Sequence, residues 1–103
     1  MESRRERIIK LLRETERPLT VDDIIYQLGL STQDRDLVYE DLKHIAKTIR
    51  RLSGGKETLV MQVPYCRDCG FIFKLDRPKK PSRCPRCKSY RIAPPAFKIT
   101  TYE

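Results

Sequence analysis

Apolar residues in the first half of the chain recur every three or four positions, and each run is framed by residues that start or stop a helix. Ile8, Ile9, Leu11 and Leu12 follow Ser3 and Glu6, a hydroxyl with a carboxylate three places on, which satisfies two orphan N–H groups reciprocally. A first helix is therefore predicted over residues 4–15, stopped by Pro18, which cannot continue the ladder. Thr20 with Asp23 repeats the cap ahead of Ile24, Ile25 and Leu28, and Gly29 offers a left-handed stop, so the second helix is short. After the polar residues 31–35, Val38, Leu42, Ile45, Ile49 and Leu52 form the expected buried face of a third helix, broken by Gly54 and Gly55. The period then changes to two: Leu59, Met61 and Val63 line one side of a strand beginning at Glu57, and Phe97 and Ile99 mark a last strand.

Between those two strands the pattern fails, and the chemistry of the residues takes over. Cys66-x-x-Cys69 and Cys84-x-x-Cys87 form two identical brackets separated by fourteen residues. Each bracket lets two thiolates reach one ion from a tight turn, and four such sulfurs make the closed tetrahedral shell of a structural zinc site. Gly70 after the first pair suits positive φ, whereas Lys88 stands at the matching place in the second and must close its turn without that freedom. An S4 tetrahedron also suits iron, and the CxxCG and CPxC segments are similar to rubredoxin, an iron electron carrier. Zinc is preferred because the ribbon is small and joined to a second body. Disulfides are disfavoured: the chain opens MESRRER, with no apolar signal segment and no membrane-spanning run, which sets the expectation of a reducing cytoplasmic setting.

At 103 residues with 39% apolar and 35% charged positions, there is room for a small domain plus a metal-stapled module. The net charge of +8 is unevenly placed. Residues 1–58 carry twelve Lys or Arg against eleven Asp or Glu, and residues 59–103 carry ten against three. The basic field thus belongs to the ribbon end.

The segment RIIKLLRETERPLTVDDIIYQLGLS resembles the opening of a winged helix-turn-helix, and the order three helices, strand, excursion, strand is that of a winged helix. With EDLKHIAK, CRDCGFIFK and PSRCPRCKS, the whole chain is similar to a group of small archaeal predicted transcriptional regulators, a helix-turn-helix fused to a rubredoxin-like zinc ribbon. The resemblance implies an α+β fold: a winged helix of three helices plus a β-hairpin wing over residues 1–63 and 96–103, with the ribbon, residues 64–95, inserted in the wing. It implies one structural zinc on Cys66, Cys69, Cys84 and Cys87, duplex DNA as partner, and the option of a homodimer.

The residues modify that expectation. A groove-reading helix presents Arg, Lys, Asn or Gln from its first turns, but here Asp34, Asp36, Glu40 and Asp41 sit there, leaving Arg35, Gln33 and Tyr39 as readers. Such acids complement the helix dipole, as Lys43, Lys47, Arg50 and Arg51 do at the other end. Nucleic-acid contact is therefore expected through Lys43, Lys47, Arg50 and Arg51 together with Lys79, Lys80, Arg83 and Arg86 of the ribbon. A docking module for a protein of the transcription or RNA-processing machinery is the second reading, favoured by the acidic helix start. Most of Tyr65, Phe71, Phe73 and Tyr90 are expected to shield sulfur and form the ribbon's small core rather than stack on bases, and His44 to be a partly packed helix residue rather than a ligand. No phosphate-cradling GxxxxGK loop or nucleophile set occurs, so catalysis is not expected.

Overall fold

The computed structural model of the chain describes residues 2–102. Helix α1 spans Arg4–Glu14, strand β1 Leu19–Thr20, helix α2 Val21–Leu28 and helix α3 Arg35–Leu52, the last preceded by a single 3-10 turn. Strands β2 (Glu57–Gln62), β3 (Tyr65–Cys66), β4 (Ile92–Ala93) and β5 (Ala96–Thr101) follow. The caps act as their residue types dictate. The Ser3 and Thr20 hydroxyls accept from the N–H groups of Glu6 and Asp23, whose carboxylates accept in return from the cap N–H groups. Gly29 takes φ 66°, and the N–H of Leu30 closes onto the Ile25 carbonyl, which ends α2.

Three antiparallel strands in the order β1-β5-β2 make the main sheet, with Leu59 opposite Ile99, Met61 opposite Phe97 and Leu19 also opposite Phe97. The core lies between one face of this sheet and the three helices: Ile8 and Leu12 from α1, Ile24 and Ile25 from α2, Val38, Leu42, Ile45 and Ile49 from α3, and Phe97 and Ile99 from β5. Removing these side chains from water is the main stabilising term, about 1.5–3 kcal/mol for each large aliphatic or aromatic group. Polar ties hold the layers in register. Arg13 donates two bonds of 2.9 Å to the Glu57 carboxylate at the start of β2, and Arg7 donates to the Leu28 carbonyl at the open end of α2.

Several expectations are corrected here. Leu52 continues the stripe of α3 in sequence but is 74% exposed, because the chain turns away at Gly54 and Gly55 and, among the described residues, nothing reaches past Ile49 to cover it. Leu37 is half exposed, and Val38 is the first core residue of α3, as the stripe predicts. Asp41 is not a surface charge of the helix start. It is 1% exposed, with its carboxylate held by the guanidinium groups of Arg4 and Arg5 from α1. His44 is exposed rather than partly packed. Strand β1 was not expected at all, since two residues carry no period.

Candidate functional site

The stretch between β2 and β5 folds as a separate ribbon, with β3 paired to β4 and a small core of Cys66, Phe73, Cys84 and Ile92. Its two cysteine turns are near copies. The N–H of Cys66 donates to the Phe71 carbonyl and that of Cys84 to the Ser89 carbonyl, both at 2.8 Å. The N–H of Gly70 donates to the Cys66 carbonyl at 2.9 Å, and that of Lys88 to the Cys84 carbonyl at 3.0 Å. The closing residues take φ 79° and 66°, so Lys88 is, among the described residues, the one non-glycine held at positive φ.

The turns bring all four sulfurs within 4.8 Å of one another, with Cys66 and Cys87 Sγ atoms 3.5 Å apart and Cys69 and Cys84 Sγ atoms 3.6 Å apart. A tetrahedron with metal–sulfur bonds of about 2.3 Å has sulfur–sulfur edges of about 3.8 Å, so the donor set fits one ion of that size. Backbone N–H groups of Arg86 and Cys87 point at Cys84 Sγ from 3.4 and 3.5 Å, the bonding a thiolate needs. Burial pushes the Cys84 thiol up, but those N–H groups and the neighbouring thiols of Cys69 and Cys87 outweigh it and bring its pKa down to about 6. At Cys87 an N–H from Ser89 favours the thiolate, yet burial and the three crowding cysteines prevail and push it up to about 12. Four sulfurs this close cannot all ionise without a cation among them, which is itself the signature of a metal centre.

The aromatic residues divide. Phe71 and Phe73 meet edge-on with centroids 5.1 Å apart and wall the site. Tyr65 and Tyr90 do not shield sulfur: they are 42% and 74% exposed, and the Arg83 guanidinium lies 5.7 Å over the Tyr90 ring.

The eight basic residues singled out in sequence fall into four places. Lys43, Lys47 and Arg50 line a groove of about 720 Å³ between α3 and the ribbon, whose other wall is Asp76, Arg77 and Pro78 and whose floor is Ala46, Thr58 and Leu59. Lys79 and Lys80 line a second cleft of about 550 Å³ beside Asp36, Glu40, Tyr39 and Lys43, where they face the acidic start of α3. Arg83 and Arg86 belong to the second cysteine turn, Arg86 donating to the Cys69 carbonyl at 3.4 Å. Arg51 is exposed at the end of α3 and lines neither groove. Arg77 belongs in sequence to the same basic loop as Lys79, Lys80 and Arg83 but was not among the expected contacts, and it completes the first groove because the fold brings that loop against α3.

Fold and site together define a small α+β protein carrying a four-cysteine centre of the zinc-ribbon kind. A family signature described as PF0610-like, N-terminal, matches residues 3–56, and one described as the PF0610 rubredoxin-like zinc beta-ribbon domain matches residues 64–101. The chain belongs to the PF0610-like family. It is similar to the solution NMR structure of protein PF0610 from Pyrococcus furiosus, at 35% identity over 94% of this chain and 88% of that one, with a TM-score of 0.73. Among curated proteins none matches. Among the described residues no helix is long and apolar enough to cross a membrane.

Proposed function

We propose that this is a zinc-containing, winged-helix, transcription-associated protein that binds nucleic acid through the groove between the C-terminal half of α3 and its ribbon. The observation that carries the reading is the meeting of Lys43, Lys47 and Arg50 with Arg77, residues distant in sequence, around one groove against a single acid, Asp76. The order α1, β1, α2, α3, β2, β5, with β1 closing onto β5, supports the winged-helix assignment, the ribbon standing at the tip of the wing formed by β2 and β5. Zinc is the metal this reading assigns, acting as a cross-link that rigidifies the basic surface, and elemental analysis of protein from its native source distinguishes it from iron. The role is binding rather than catalysis, in the cytoplasm.

An amide NMR titration of the metal-loaded chain with duplex DNA at low and physiological salt tests the proposal. Salt-sensitive shifts at Lys43, Lys47, Arg50 and Arg77 are the expected result. Their absence transfers the reading to a protein-docking module, which the carboxylates of Asp36 and Glu40 at the start of α3 favour.

A further inference from the structure

Residues 76–80 of the ribbon lie along α3. Pro78 is buried between exposed Arg77 and Lys79. It lines both grooves, between Asp36, Tyr39, Glu40 and Lys43 on one side and Lys43, Ala46, Lys47 and Arg50 on the other. Lys80 reaches the junction of α2 and α3, beside Val21, Asp22, Arg35 and Tyr39. The segment therefore faces the flank of α3 that carries Asp36, Tyr39, Lys43, Lys47 and Arg50.

Resting on the nucleic-acid reading, we propose that this segment is a strap that keeps α3 out of the major groove, so that the protein grips the phosphate backbone without reading bases. Size supports this first. A helix with its side chains is about 10–12 Å across and the major groove about 12 Å wide, which admits a helix but not a helix with a second chain on its flank. The missing readers support it next. Arg35 is the one cation in the first turn of α3, and its guanidinium is committed to Asp22 at 2.9 Å, while Lys43 is shared with Glu40 at 3.0 Å.

The groove that remains is suited to phosphates. Lys47 and Arg50 have no carboxylate partner among the described residues, and Arg77 is exposed with only a long contact of 3.7 Å to Asp76. From Lys43 to Arg50 the helix rises about 10 Å, the run of roughly three phosphates on one strand. With Arg77 on the facing wall, three to four phosphates are neutralised, and the binding constant should fall with salt at a log–log slope of about −2.7 to −3.6.

The test is fluorescence anisotropy of the metal-loaded full chain with a panel of labelled duplexes of unrelated sequence, over a series of salt concentrations. The expected result is one affinity across the panel to within about threefold, and loss of about 0.9 from the slope in each of Lys47→Ala and Arg77→Ala, both at exposed positions. A duplex preferred by a hundredfold or more, with amide shifts over residues 33–39, overturns the strap while leaving nucleic-acid binding in place. No binding to any duplex at low salt removes the nucleic-acid reading and the strap's role with it.

Discussion

Asp41 holds a charge in the wall of the core, and its environment shows what that requires. Burial works against its ionised form, but the Arg4 and Arg5 guanidinium groups overcome this and hold the carboxyl below its ordinary value of 3.8. A depressed folded-state pKa contributes stability that is fully present above the unfolded value and is lost as the pH falls through the folded one. Asp41→Asn should therefore cost about 1–3 kcal/mol at neutral pH, toward the lower end because both arginines keep contact with water. Denaturant titrations of the two proteins should show the difference shrinking below about pH 4, and metal release, common to both, does not alter that difference. A gap that is constant with pH would mean that Asp41 acts by packing alone. From sequence alone Asp41 was indistinguishable from Asp36 and Glu40, because nothing local shows which carboxylate turns inward to meet α1.

At the scale of elements, β5 is the member on which the others depend, since it is central in the sheet and faces the helices with Phe97 and Ile99. Phe97→Ala should leave a cavity costing about 3–5 kcal/mol, whereas Leu52→Ala, on the uncovered turn of α3, should stay within about 0.5 kcal/mol of the parent. Thermal unfolding followed by circular dichroism checks both, and comparable losses would mean that Leu52 is covered in solution. The three helices and two long strands were legible because their signals are local: Ser3, Thr20 and Gly29 act within one turn, and the change from a period of four to a period of two is visible on either side of Gly54. The four cysteines that meet in space were legible for the same reason. Strand β1 was not, since Leu19 and Thr20 become a strand only by meeting Phe97 and Ala96 from the far end of the chain. The exposure of Tyr65 and Tyr90, and the seat of Pro78 on α3, likewise depend on how the ribbon docks rather than on its own spacing.

For the whole molecule, the metal and the helical body should be separable. The ribbon core of Cys66, Phe73, Cys84 and Ile92 is too small to hold alone, so chelation should abolish amide protection over residues 64–93 while helical circular dichroism largely persists. Loss of the helical signal in the same step would show one cooperative unit instead. Because binding displaces protons, notably from Cys87, apparent zinc affinity should rise with pH between 6 and 8 in competition with a chromophoric chelator. The position of β5 has a further effect, on the order in which the protein is assembled. The strand that completes the core is made after every other described element, and until it arrives the inner faces of α1 and α3 lack the central strand of the sheet that covers them. Thirty-three residues separate the partner strands β2 and β5, and closing such a gap costs chain entropy that grows with its length. A ribbon that has already captured its ion ties Cys66 to Cys87 and brings the two strand ends near each other before they pair. Metal supply during synthesis thus speeds the sealing of a core that contains none of the ligands, without being needed to keep it sealed.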